Sequence, residues 1–216
     1  MYRAVLFDLD GTLADTAPDL GHALNLLLER HGRTALDQDV IRPHASHGTP
    51  GLLGVGFGIT PDDPDFTPLR QEYLGLYEAH LVTYTRLFQG MAELLDQLEQ
   101  RGLPWGIVTN KPERFALPLL ERLGLKERTA TVIGGDTCSN PKPHPEPMHC
   151  ACREIGVAPE ECLYVGDAER DVESARAAGM ATLIAAYGYL GENDRPEDWN
   201  ALGIIQSPLD ILTYLG

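Results

Sequence analysis

The sequence predicts an α/β fold: a doubly wound, Rossmann-like parallel sheet core with an all-helical cap inserted after the first strand. Three observations carry this expectation. From about residue 87 onward, short apolar runs bounded by turn residues alternate with helix-like stretches, the pattern of a parallel sheet covered by helices on both faces. One apolar run, Ala4–Phe7, stands apart from that series near the start of the chain. Between the two lies a block with helical periodicity and no convincing strand pattern.

The elements follow in order. Ala4–Phe7 ends in Asp8, Asp10 and Gly11 and reads as a buried strand with a sharp exit. In the block that follows, Pro18–Arg30 and Leu69–Leu81 are amphipathic and read as helices. Their middle, HASHGTPGLLGVGFG, is punctuated by glycine and proline; no strand precedes its GVGFG, so it lacks the context of a phosphate-binding loop. Helices are then expected at Met91–Arg101, Pro112–Leu123, Glu146–Ile155 and Glu169–Ala178, and strands at Pro104–Thr109, Ala130–Ile133, Glu161–Val165 and Ala181–Ala185. The core is thus expected over 1–14 and 87–216 and the cap over 15–86. Ligands of open α/β sheets bind beyond the carboxyl ends of the strands, so an insert leaving from the first strand would lie over that crevice as a lid.

Composition narrows the function. The 216 residues carry a formal charge of −15, with 23% charged and 43% hydrophobic residues, ordinary values for a folded protein. No Lys/Arg cluster could follow a phosphate backbone, which argues against nucleic acid as a partner and leaves a small anionic molecule, provided local groups reverse the overall field. Only four apolar residues separate Arg3 from Asp8, too few for a signal-peptide core, and no later run approaches a membrane span, so a cytoplasmic protein without membrane contact is expected, as monomer or homodimer. The four cysteines, Cys138, Cys150, Cys152 and Cys162, are expected to be reduced: on a helix, Cys150 and Cys152 point roughly 200° apart and cannot share a tetrahedral ion.

The chemistry lies at the strand ends. Asp8 and Asp10 are two residues apart, and on a strand they would share a side, so their repulsion demands a counter-charge. The other expected strand ends bring Thr109-Asn110, Lys142 in the proline-rich turn NPKPHPEP, and Asp167 and Asp171 of GDAERD to the same edge. Carboxylates, an ammonium and a hydroxyl suit a hard divalent cation together with a phosphate, and oxygen-only ligands select Mg²⁺. Asp8, rigidly mounted, is placed to attack phosphorus; Asp10 is placed to protonate the leaving oxygen and then to deprotonate water. Gly11 permits a close turn beside the phosphoryl group, Thr109 can donate to its oxygens, and Lys142 can neutralise the nucleophile.

In order and spacing, FDLDGTL, Thr109-Asn110, Lys142 in KPxP and GDxxxD at Asp167–Asp171 resemble the four motifs of haloacid dehalogenase-like phosphatases over essentially the whole chain. The resemblance implies that Asp8 is nucleophile and Mg²⁺ ligand, that Asp10 is the acid/base whose backbone carbonyl also meets the metal, and that Asp167 is the third ligand, with Asp171 supporting the metal directly or through water. It implies phosphate-binding roles for Thr109, Asn110 and Lys142. Asp15-Thr16, KPHPEP and VGDAERDVESARAAGM resemble the phosphoglycolate phosphatase group, and LFQGMAELL, WGIVTNKPERFALP and YGYLGENDRPEDWN resemble its branch acting on N-acetylmuramic acid 6-phosphate in cell-wall recycling. Phe88-Gln89-Gly90-Met91, where many relatives have Pro-Gly-Val, and the histidine-rich HASHG depart from the common pattern.

Other readings stay open at this stage. Asp167 and Asp171 fit a helix N-terminus, where acids are favoured, and Thr109 could cap the following helix. A phosphomutase would share all four motifs; a non-catalytic phosphate-binding module would be favoured had Asp8 or Asp10 been replaced. A dehalogenase has no use for the acid at Asp10, because a halide leaves without a proton. Candidates for reading the leaving group are Arg42, His44, His47 and Gly48 in the cap and Arg114 after Asn-Lys-Pro.

Overall fold

In the computed structural model, which describes residues 2–216, the chain begins with β1 (Ala4–Phe7) and the two-residue strand β2 (Ala14–Asp15). It then forms the helices α1 (Ala17–Arg30), α2 (Gln38–Ile41), α3 (Gly48–Phe57) and α4 (Phe66–Ala79) before β3 (Arg86–Leu87) pairs antiparallel with β2. The remainder alternates: α5 (Met91–Gln100), β4 (Trp105–Val108), α6 (Glu113–Arg122), β5 (Val132–Ile133), α7 (Glu146–Ile155), β6 (Cys162–Gly166), α8 (Glu169–Ala177), β7 (Ala181–Ala185), β8 (Gly203–Ile205) and α9 (Leu212–Leu215).

Six strands form one parallel sheet in the order β5-β4-β1-β6-β7-β8. The chain moves from β1 outward to β4 and β5, then returns to the other side of β1 for β6, β7 and β8. This reversal opens a crevice at the carboxyl end of β1, where such sheets bind ligands. Alternate residues show how both faces are covered. Val5, Phe7, Ile107 and Val165 pack with α5 and α6 residues such as Leu94, Leu98 and Leu119, whereas Ala4, Leu6, Val108 and Tyr164 pack with Met148, Ala151 and Ala175 of α7 and α8. Strands buried on both sides read as continuous apolar runs, which is why β1, β4, β6 and β7 are legible in the sequence.

Three features escape the periodicity argument. Strand β8 has only three residues at the sheet edge, with Ile204 40% exposed, so it carries no buried run. The β2–β3 pair is too short to show a period. Helix α3 is the glycine-rich middle of the insert, where glycine lowers helix propensity by about 1 kcal/mol per residue. Packing overrides this: Leu52 and Leu53 are fully buried, and at Gly56 a Cβ would lie 2.8 Å from Leu24 Cδ1 of α1.

The insert is fastened where it returns to the core. Fully buried Asp19 on α1 accepts backbone N–H bonds from Thr83, Tyr84 and Thr85 at 2.8–3.1 Å, plus the Thr85 hydroxyl at 2.6 Å. All four cysteines are free thiols, and among the described residues none belongs to a group that could hold a metal. No helix among the described residues is long and apolar enough to cross a membrane.

Candidate active site

Strand β1 delivers Asp8 to the sheet's carboxyl edge, and its ladder continues one residue further through Asp8 N–H to Val165 O at 2.9 Å. The Asp8 carboxylate is 3% exposed. Its Oδ1 accepts the Leu9 N–H at 2.7 Å and lies 3.1 Å from Lys142 Nζ. The chain then turns at Gly11, where φ is +82°, and a Cβ would sit 2.1 Å from Asp167 Oδ2. Gly188, after β7, closes on the same place: its Cβ would lie 2.4 Å from Gly11 O. The two glycines let backbone replace side chain around Asp167.

Lys142 is buried completely and gives its three N–H bonds to Val108 O (2.9 Å), Tyr164 Oη (2.8 Å) and Asp171 Oδ1 (2.7 Å). Burial, with the charges of Asp171 and Asp8, pushes the Tyr164 phenol well up, so it remains a neutral hydroxyl, itself donating to Val108 O. Asp171 has a protein donor on each oxygen, Lys142 on Oδ1 and the Ala168 N–H (3.1 Å) on Oδ2. It therefore caps α8 and anchors the lysine at once.

Asp10 does not share a strand face with Asp8, because β1 ends at Phe7. Its carboxylate instead meets Lys111 Nζ at 2.9 Å and accepts the Thr16 hydroxyl. The counter-charges expected for the pair thus come first from the chain itself, Lys142 for Asp8 and Lys111 for Asp10. A cation is still called for elsewhere. Oxygens of Asp8, Asp167 and Asp171 lie within 4.8 Å of one another, with Lys142 the one ammonium bonded among them. Burial, then the charges of Asp8 and Asp171, pushes the Asp167 carboxyl up to about 7. Three buried carboxylates short of positive charge fit a hard divalent cation, and this cluster could hold one.

The partners of Asp167 tie three parts of the molecule together. Its Oδ1 accepts Thr12 Oγ1 at 3.3 Å; its Oδ2 accepts Tyr189 N–H at 2.9 Å and Ser46 Oγ at 3.0 Å, the latter reaching across from the insert. Tyr189 Oη in turn accepts the Thr16 and Ala17 N–H groups and donates to Asp15 Oδ1 at 2.9 Å.

A cavity of about 500 Å³ lies between these core loops and the insert. Of the residues singled out in the sequence, Asp8, Asp10, Thr109, Asn110, His47 and Gly48 line it, while Lys142, Asp167 and Asp171 stand behind that lining. Thr109 Oγ1 accepts the Lys111 N–H at 3.2 Å, so it shapes the turn as well as facing the cavity. The Asn110 carboxamide spans the Lys142 backbone, donating to its carbonyl at 2.8 Å and accepting its N–H at 2.9 Å. The Asn110 side chain thus positions Lys142, and the residue also lines the cavity.

Three candidates lie elsewhere. Arg114 is exposed on α6 with its guanidinium 4.5 Å from the ring of its own neighbour Phe115, and Arg42 is ion-paired to Asp15 at 2.9 Å over the Tyr189 ring. Neither lines the cavity, because helix phase and ion pairing turn both away. His44 is half-buried and does not line it either. His47 does, and partial burial with the Arg170 charge lowers its pKa, leaving a neutral imidazole at pH 7. The cavity residues not singled out in the sequence include the polar side chains of Lys111, Arg170, Ser46 and Arg70. Lys111 and Arg170 sit inside the NKP and GDAERD motifs, so position within a motif was the available signal; Ser46 lay within HASHG, and Arg70 had none.

A family model described as haloacid dehalogenase-like hydrolase matches residues 5–185. The chain belongs to this family. It is 41% identical over 213 residues to the N-acetylmuramic acid 6-phosphate phosphatase of Pseudomonas aeruginosa, covering 99% of this chain and 94% of that protein. It is 46% identical over 206 residues to the phosphoglycolate phosphatase of Xanthomonas campestris pv. campestris, covering 95% and 93%. Among solved structures, a predicted phosphoglycolate phosphatase from Haemophilus somnus superposes with a TM-score of 0.87 at 27% identity, covering 100% of this chain and 98% of that one.

Proposed function

We propose that this phosphatase hydrolyses a carboxylate-bearing sugar phosphate, N-acetylmuramic acid 6-phosphate, through an aspartyl-phosphate on Asp8. The observation that carries the chemistry is the orientation of Asp8 in the cavity: Oδ1 is held by the Leu9 N–H and Lys142, leaving Oδ2 without a protein donor and available to attack phosphorus. As the new P–O bond forms, the ester P–O bond breaks and Asp10, which must enter this step carrying a proton, passes it to the departing alkoxide. Asp10 then takes a proton from water, whose oxygen attacks the aspartyl-phosphate, releasing inorganic phosphate and Asp8. Lys111 and Thr16 hold the Asp10 carboxylate in place for both transfers.

Asp8 and Asp167, with the Asp10 carbonyl, would hold Mg²⁺, and Asp171 would support them from behind through Lys142 and the α8 N-terminus. Bound there, the ion supplies charge neutralisation for the carboxylates and the phosphoryl oxygens. The substrate preference is supported by size and lining: about 500 Å³ walled partly by Tyr73, Tyr77, Leu74 and Phe115 suits a sugar ring better than a two-carbon acid. The names of the Xanthomonas campestris relative and the Haemophilus somnus structure favour 2-phosphoglycolate as the second reading.

The test is kcat/KM measured side by side on the two esters, with and without EDTA. A preference of tenfold or more for the sugar phosphate, about 1.4 kcal/mol, supports the proposal; the reverse preference selects 2-phosphoglycolate. Full activity in excess chelator would remove the metal from the account.

A further inference from the structure

The cavity presents a problem of charge. The protein carries −15 overall and the floor of the cavity is acidic, yet an anionic substrate must enter. The two lysines of the site cannot attract it freely, since Lys142 is committed to four oxygens and Lys111 to Asp10. Two arginines lining the cavity differ. Among the described residues, neither Arg170 nor Arg70 forms an ion pair or a side-chain hydrogen bond.

Arg170 is the second residue of α8, where the helix dipole opposes a cation. It is half-buried within electrostatic range of Asp8, Asp167 and Asp171, beside the nucleophile. The carboxylates of Asp8, Asp167 and Asp171 hold its charge against the dipole and the desolvation, but none of them accepts a hydrogen bond from it, so the guanidinium fork stays open to the cavity. Arg70 lies on α4 of the insert, one turn before Tyr73 and Leu74, which also line the cavity. A guanidinium presents a planar fork that matches the oxygens of phosphate and of carboxylate.

We propose that Arg170 binds the phosphate of the substrate beside Asp8, while Arg70 binds a carboxylate carried by the leaving group. The cavity is then a two-anion site, with the core reading the phosphate and the insert selecting esters that bear a second negative charge. This assignment rests on the phosphatase reading above. It helps explain how an acidic protein admits an anion: beside the ion that Asp8 and Asp167 would hold, two guanidiniums with no hydrogen-bonded partner in the fold add positive charge to the cavity wall.

The experiment compares wild type, R70Q, R170Q and R170K on two carboxylated esters, N-acetylmuramic acid 6-phosphate and 2-phosphoglycolate, and two without carboxylate, N-acetylglucosamine 6-phosphate and p-nitrophenyl phosphate. R70Q should raise KM about tenfold for the preferred carboxylated ester, the loss expected for one charge-assisted contact, and leave the carboxylate-free esters unchanged. R170Q should raise KM for all esters, and the inhibition constant of inorganic phosphate, by about tenfold, with kcat less affected and R170K recovering part of the loss. Far-UV circular dichroism checks folding; should R170Q fail to fold, phosphate inhibition of R170K decides. Equal effects of R70Q on all esters, or none, would overturn the role of Arg70. Unchanged phosphate inhibition in the Arg170 variants would overturn that of Arg170. A wild type inactive on all four esters would overturn the phosphatase reading instead.

Discussion

The core loops and the insert face each other across one cavity and differ in how far their polar groups are already partnered. In the core, Arg170 apart, charge is matched internally: Lys142 meets Asp8 and Asp171, Lys111 meets Asp10, and even the Asn110 carboxamide is bonded at both ends. On the insert, His47 and Arg70 line the cavity without a side-chain partner among the described residues. Preorganised, buried charge serves steps common to every phosphate ester, because it reorganises little as the reaction proceeds. Unpartnered groups keep their binding capacity for whatever arrives. The difference teaches that the reaction and its specificity are separable properties of the two regions.

Breaking the core should have the largest effect. Asp8→Asn removes the nucleophile while keeping shape and the Leu9 contact, and kcat on p-nitrophenyl phosphate should fall by about a thousandfold or more with the fold intact. Retained turnover would show that another group attacks.

Lys142→Ala should lose both activity and stability. It leaves Asp8 and Asp171 buried without their common cation, a change that costs about 3–5 kcal/mol when one partner of a buried ion pair is deleted. A chemical denaturation midpoint close to wild type would contradict the burial argument.

Metal binding sharpens the comparison through pH. Asp167, raised from 3.8 to about 7, holds its proton more tightly folded than unfolded, so in EDTA its contribution to stability is full below about pH 4 and lost as pH rises towards 7. The slope is at most about 1.4 kcal/mol per pH unit. Melting curves should show that slope shrink with added Mg²⁺ and in Asp167→Asn; an unchanged slope in the variant would place its origin elsewhere. The smallest effect belongs to Arg114→Ala, an exposed side chain on the outer face of α6: stability within about 0.5 kcal/mol of wild type and KM unchanged on every ester.

Much of the core was legible because its signals are local. A strand covered on both faces has to be apolar throughout, so β1, β4, β6 and β7 are visible as runs, and the acids that follow two of them, Asp8 after β1 and Asp167 after β6, mark the working edge. The insert was legible only as helical. Arg114 and Lys111 illustrate the limit: three residues apart in one motif, they differ in that Lys111 precedes α6 in the loop facing the cavity whereas Arg114 lies on the helix surface. Residue type cannot separate them, since both are cations beside the same strand end.

The sequence by itself determined the alternation of elements, the residues mounted at the strand ends and, through them, phosphoryl chemistry, because periodicity and motif spacing are properties of neighbours along the chain. Only the tertiary structure decided which charge answers which. Asp10 with Lys111, Lys142 with Asp8, and Ser46 with Asp167 are each separated by more than a hundred residues, and such pairings exist only once the sheet order and the docking of the insert bring the loops together.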